Sequence, residues 1–198
     1  MGSEERIEIL LKSFDNFFTL DNKEKKEVTR LFTTRTYKRR SLLLNEGDVC
    51  NHYTFVITGC FRMYAVDEKG KEHNLQFATE NNWIMDFQSF YERKQSKLYI
   101  EAVETSEVLQ IAHEELLYLY TNYHKFDRNF RIIIEQKFIE FQNRILESIS
   151  VPADERYENF IKQYPDLVQR IPNTLIASYL GITPEFLSKI RKRINVKS

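Results

Sequence analysis

Cysteine is nearly missing: Cys50 and Cys60 are the only two in 198 residues. Two thiols cannot supply a four-thiolate cluster, and no Cys-x-x-Cys pair occurs, so no iron–sulfur cluster and no structural zinc are expected. Free thiols in a reducing compartment are the expectation, with a redox pair as the open alternative. Long apolar runs are also missing. No stretch approaches eighteen consecutive apolar residues, which excludes a membrane-spanning helix and leaves no membrane partner. The start, MGSEERIEILLKSF, has no cationic segment followed by an apolar one, and Arg6 stands where a myristoylation signal prefers Ser or Thr. A soluble, cytoplasmic protein is expected. No His-x-His pair, nucleophile elbow or phosphate loop is found, and His52, His73, His113 and His124 are scattered. The expectation is no enzyme, no catalytic residue and no metal site.

Net charge is absent too, since 29 Lys and Arg balance 29 Asp and Glu. A protein coating nucleic acid non-specifically would be basic throughout. Here the excess is local: Lys189, Arg191, Lys192, Arg193 and Lys197 occur with no acid from residue 189 onward. A basic tip on a neutral body suits a protein that touches DNA with one element. With 42% hydrophobic residues, 15 Phe and 11 Tyr, a sizeable core is available.

Along the chain, residues 3–18 read as a helix with Ile7, Leu10, Leu11, Phe14 and Phe17/Phe18 on one side. Asp21 to Glu24 reads as a capping box opening a second helix with Val28, Leu31 and Phe32. From about Thr34 the pattern shortens. Tyr37, Leu42–Leu44, Val49, Tyr53–Ile57, Phe61–Val66, Asn74–Phe77 and Ile100–Val103 are strand-like, separated by turns that use Gly47, Gly59 and Gly70. Many short strands at this spacing predict an antiparallel roll or barrel. His113 opens a helix through Leu116, Leu117 and Leu119.

Residues 127–150 read as a long helix. Phe130, Ile134, Phe138, Phe141, Ile145 and Ile149 form one stripe; Ile132, Ile139 and Leu146 form a second. One stripe could pack on the roll and the other on a second copy of the helix, the alternative being full burial within one chain. Pro152 then breaks the helix. The expected organisation is a roll with N-terminal helices over 1–126, a dimerisation helix over 127–150 and a DNA-binding unit over 151–198.

The segment NTLIASYLGITPEFLSKIRKR, from Asn173 to Arg193, predicts a helix-turn-helix. Ala177 is small where helices must approach, and Gly181 sits where positive φ is needed. Ile176, Leu180, Ile182, Leu187 and Ile190 fall on the inner faces. Thr183 is a good N-cap, Pro184 suits the first helical position and Glu185 the first turn. Thr183, Pro184, Glu185, Ser188, Lys189 and Lys192 then face outward, with Arg191 and Arg193 extending the cationic end. Lys and Arg can neutralise phosphates, and Glu185 can accept from cytosine N4. An ordinary helical hairpin with cations at a helix C-terminus is the competing explanation.

In order, helix, roll, long helix, hinge and helix-turn-helix resemble the Crp/Fnr superfamily of transcription regulators. The residues that carry the resemblance are LNEGD from Leu44, YTFVITG from Tyr53, the hairpin from Arg62 to Gly70, EVLQI from Glu107, and TLIASYLGITPEFLSKIRKR. The resemblance implies an α+β chain: an antiparallel β-roll like a cyclic nucleotide-binding domain, a long dimerisation helix and a C-terminal helix-turn-helix. It also implies a homodimer, a small-molecule effector, a palindromic promoter site in double-stranded DNA, and RNA polymerase as a partner. By that alignment Met85-Asp86 stands where a Gly-Glu pair binds ribose, and Ser96-Lys97 where an Arg binds the cyclic phosphate. Asp86, Ser96 and Lys97 become the candidate effector contacts, but Lys lacks the bidentate fork of Arg, and no cyclic nucleotide is expected. The sequence ends at Ser198, which leaves the helix-turn-helix without a full wing. Pro184 replaces an Arg that reads guanine in many relatives, so a different DNA sequence is expected. The alternative is a module that binds a small anion or nucleotide and acts through protein partners without DNA.

Overall fold

The computed structural model describes residues 2–15 and 19–195. Phe17, Phe18 and Lys197, counted above, lie outside them. The chain forms two compact units: Met1–Ala65 with Gln76–Ile134, and Val66–Leu75 with Glu135–Ser198.

The first unit opens with α1 (Ser3–Asp15) and α2 (Asn22–Leu31). Ile7, Leu10 and Phe14 fall on one face of α1 at helical spacing and are buried. The capping box is present in full: the Asp21 carboxylate accepts from the backbone of Lys23 and Glu24, and the Glu24 carboxylate accepts from the Asp21 amide. Eight strands follow: β1 (Thr33–Tyr37), β2 (Leu42–Leu44), β3 (His52–Thr58), β4 (Phe61–Val66), β5 (Glu72–Ala78), β6 (Trp83–Ile84), β7 (Tyr99–Ala102) and β8 (Ser106–Ala112). They build two four-stranded sheets, in the orders β1-β8-β3-β6 and β2-β7-β4-β5. Strand β8 lies antiparallel between β1 and β3, pairing Thr33 and Thr54 with Gln110 on its two sides. Val49 makes only an isolated bridge to Gln95.

The roll closes on an aromatic centre. Trp83 packs against Phe14, Phe32, Tyr53, Phe55 and Phe130, with ring centroids 4.6–6.4 Å apart. Such pairs add about 0.5–1.5 kcal/mol each beyond area burial. Gly59, at φ +96°, closes the β3–β4 turn against β8: a Cβ there would stand 2.2 Å from the Ser106 hydroxyl. That hydroxyl accepts the Cys60 amide at 3.1 Å, so backbone and side chain need the same narrow space. Between β6 and β7 runs α3 (Phe87–Glu92), and α4 (His113–Asn122) follows β8.

The long helix α5 (His124–Ser150) starts three residues earlier than the sequence pattern suggests and spans about 40 Å at 1.5 Å per residue. Its burial changes along its length as well as around it. Phe126, Asn129, Phe130 and Ile133 are buried, whereas Phe138, Ile139, Ile145, Leu146 and Ile149 are all 53% exposed or more.

The second unit adds α6 (Ala153–Gln163), α7 (Leu167–Arg170), α8 (Asn173–Leu180) and α9 (Pro184–Asn195). Tyr157, Phe160, Leu167, Ile171, Ile176, Ala177, Leu180, Leu187 and Ile190 are its buried residues. The hairpin end Val66–Leu75 belongs to this unit, and α5 holds it there. Arg144 donates to the carbonyls of Asn74 and Tyr179, both at 2.9 Å, and to that of Leu75; its guanidinium lies 4.0 Å from the Tyr179 ring centroid. Ser178 of α8 donates to the Glu72 carbonyl and accepts from the Asn74 amide.

Candidate functional site

The α8–α9 corner is a closed turn. Gly181 takes φ +69° after the last residue of α8, which an L side chain adopts only at a cost. Its amide donates to Ser178 O and the Ile182 amide to Ala177 O, the paired bonds of a Schellman motif. Thr183 then caps α9: its hydroxyl accepts from the Phe186 amide at 3.2 Å and its carbonyl from Leu187. Leu187 and Ile190 are fully buried, which fixes the rotation of α9 about its axis.

With that rotation set, Thr183, Glu185, Ser188, Lys189, Lys192 and Arg193 are exposed, while Arg191 is half-buried. The Glu185 carboxyl is held below the usual carboxylate range by its own backbone amide and the Thr183 hydroxyl, so it is ionised at neutral pH. The Ser188 hydroxyl donates to Pro184 O. Two of the expected cations are turned to internal partners. Arg191 bonds Asn173 of α8, and Arg193 pairs with Asp154 of α6 at 2.8 Å. They tie α9 to its neighbours, while Lys189 and Lys192 point outward. The rim of the outer face carries Phe186, 46% exposed, which the helix-turn-helix pattern did not single out. Its signal in the sequence is an apolar residue at the edge of the polar face of an amphipathic helix.

In the roll, Asp86 and Ser96 come together and Lys97 stays exposed. The Ser96 hydroxyl donates to Asp86 Oδ2 at 2.7 Å, and the Ser89 amide to Asp86 Oδ1 at 3.3 Å. Both side chains are almost wholly buried. Asp86 is thus the N-cap of α3, and Met85 beside it is a core residue. Ser89 completes the lock by accepting from the Cys50 amide and donating to Lys94 O. A half-open cleft of about 580 Å³ elsewhere in the roll is lined by Arg35, Tyr37, Asp48, Cys50, His52 and Gln110 among others, and by none of Asp86, Ser96 and Lys97. Burial pushes the Cys50 thiol up to about 11, so it is protonated at neutral pH. Burial, then Arg35, lowers the His52 pKa below its ordinary value.

Of the expected dimer-helix residues, Phe130 is a correction. It is fully buried against Phe14, Tyr53, Trp83 and Tyr120 of its own chain and is unavailable to a partner. Ile134 and Phe141 are half-buried, and Phe138, Ile145 and Ile149 are 61%, 60% and 79% exposed. Of the second stripe, Ile132 is half-buried, and Ile139 and Leu146 are exposed alongside the first rather than set apart. No described helix is long and apolar enough to cross a membrane.

Residues 34–123 match the cyclic nucleotide-binding domain family. No curated protein sequence matches. Among solved structures, FixK2 from Bradyrhizobium japonicum is 16% identical, with 84% of this chain and 85% of that one covered at a TM-score of 0.75. The c-di-GMP-responsive global regulator CLP of Xanthomonas campestris is 13% identical, with 89% and 93% covered and a TM-score of 0.72. A protein from Eubacterium rectale assigned to the Crp/Fnr family of transcriptional regulators is 18% identical, with 90% and 85% covered and a TM-score of 0.69. Residues 34–123 therefore match a cyclic nucleotide-binding domain, in a chain that shares its fold with these three solved structures.

Proposed function

We propose that the chain is a homodimeric, sequence-specific DNA-binding transcription regulator of Crp/Fnr type, acting in the cytoplasm. The observation that carries this reading is the outer face of α9. It sets Thr183, an ionised Glu185, Ser188, Lys189 and Lys192 on a helix whose rotation is fixed by a Schellman turn, an N-cap and two buried anchors. A helix with outward cations and a hydrogen-bonding first turn suits the major groove, where Lys189 would meet base edges or phosphate and Lys192 phosphate. Arg191 and Arg193 act chiefly by holding α9 in place.

The exposed apolar side chains of α5 support the dimer. Phe138, Ile139, Ile145, Leu146 and Ile149 recur at spacings that keep one side of the helix mainly apolar for three turns, interrupted by Gln142, as a helix pair tolerates. A dimer presents two copies of α9 to a two-fold symmetric site. RNA polymerase would be met at such a promoter site. An effector of the roll would act through the hairpin end held by Arg144, whose displacement reaches α8 directly. Asp86, Ser96 and Lys97 are the proposed effector contacts in residues 85–97, the cassette aligned with the ribose and phosphate contacts of relatives, with Lys97 supplying the charge.

The test is selection of random duplexes by the purified chain at one fixed salt concentration. Enrichment of a two-fold symmetric site is expected. No enrichment, with or without cellular small-molecule extract, refutes the reading and favours a module that signals through protein partners.

A further inference from the structure

We propose that Phe186 is a specificity-determining residue that reads the 5-methyl group of thymine in the major groove. This rests on the DNA-binding reading of α9. Single exposed apolar side chains are common on proteins; the position of this one is what informs. Phe186 is 46% exposed in the first turn of α9, while the helix buries Leu187 and Ile190 on its inner side. Its amide is fixed by the Thr183 hydroxyl, so the ring projects from an ordered turn. At about 100° per residue, Phe186 lies about 60° around the helix from Lys189 and about 100° from Glu185. The ring therefore borders the charged face.

The setting selects the partner. A single exposed ring bordered by Lys189, with Glu185 next to it in sequence, is too small an apolar surface for a protein interface, and the outward lysines favour a polyanion. In a helix-turn-helix, the N-terminal residues of the second helix come closest to the base edges. The thymine methyl is the apolar group that a major groove offers; the other base edges present donors and acceptors that a phenyl ring would leave unsatisfied. Phe186 would then favour thymine at one position of each half-site and disfavour cytosine there.

The experiment uses the full chain and the site recovered by selection. Each thymine is replaced in turn by deoxyuridine, which removes the methyl and nothing else. Wild-type protein should lose about fourfold in affinity at one position per half-site, the effect of one buried methyl-sized group, and about fifteenfold when both half-sites are changed. Phe186→Ala should bind the unmodified site correspondingly more weakly and be indifferent to deoxyuridine at that position. Its thermal melting should match wild type, because the ring is exposed. Specific binding with no thymine showing a methyl effect would overturn the proposal alone. So would a Phe186→Ala protein that keeps the methyl preference. If wild type enriches no site at all, the DNA-binding reading falls first and the proposal with it.

Discussion

Removing Arg144 should free the hairpin end Val66–Leu75 without unfolding the roll. Its guanidinium is mostly buried, and burial lowers its pKa below the ordinary value. Three backbone carbonyls accept from it, on Asn74, Leu75 and Tyr179, and the Tyr179 ring stacks on it at 4.0 Å. Hydrogen bonds to a charged group contribute about 1.5–3 kcal/mol each, and a desolvated cation–π contact about 2. Against this stands the cost of desolvating the guanidinium, several kcal/mol. Truncation also lets water reach the three carbonyls. The net loss for Arg144→Ala is about 3 kcal/mol, or about a hundredfold in the local opening equilibrium. Amide hydrogen exchange reads this directly. Amides of residues 66–75, including that of Asn74 on Ser178 Oγ, should exchange about a hundredfold faster, while those of the β3–β8 ladder should not change. Arg144→Lys should fall between, because an ammonium keeps the charge but cannot reach three carbonyls in a fixed fork. An acceleration below threefold, or an equal one across both units, would refute the assignment of Arg144 as the local fastener.

Lys189→Ala should weaken binding to the selected duplex about tenfold and leave the circular dichroism unchanged; full retention of affinity would refute the docking of α9. If α5 pairs as proposed, wild type should sediment as a dimer and replacing Phe138 and Ile145 together by Glu should yield a monomer, since both side chains are exposed in one chain. An unchanged sedimentation coefficient would refute pairing through this stripe. Gly59→Ala should cost about 2–4 kcal/mol in urea unfolding, from positive-φ strain and collision with Ser106; a loss under 1 kcal/mol would show that β8 yields. Glu107 is held below the usual carboxylate range mainly by its bond to Arg6 of α1. The stability it adds is present above that range and is lost as pH falls through the depressed value. Exchange at α1 amides should therefore rise as pH falls below the ordinary carboxylate range in wild type and show no such step in Glu107→Gln; a step of equal size in the variant would refute the linkage.

The helix-turn-helix was legible because local chemistry and tertiary structure agree there. Gly181, Thr183 and Pro184 specify a turn whatever surrounds them, and the inner-face residues are buried as expected except Ile182, which is half-buried. The Asp21–Glu24 capping box was legible for the same reason. What the sequence hid depends on distant partners. The two-residue strand β6 exists because Thr54 and Phe55 offer it an edge, and the aromatic composition around it gives no strand period. The six-residue α3 is set by the Asp86 cap and its bonds to Ser89 and Ser96, not by propensity. The stripes of α5 were visible, but where burial ends along the helix is fixed by the extent of the core around Phe130. In the cassette, the juxtaposition of Asp86 and Ser96 follows the aligned positions. Their hydrogen bond to each other, which a spacing pattern cannot reveal, was not foreseen.

That bond bears on how readily this roll could be converted to recognise a sugar. A ribose hydroxyl approaching Asp86 competes with the Ser96 hydroxyl and the Ser89 amide, donors already tethered within reach of the carboxylate and so present at high effective concentration. The ligand reaches the buried carboxylate only as these donors give way, and releasing the Ser89 amide also uncaps α3. Installing an arginine at position 97 would supply a phosphate fork and leave this competition untouched. The shorter route is to unlock the loop first, with Ser96→Ala, and only then add the arginine. The order of substitutions, not only their identity, decides whether intermediate proteins gain binding.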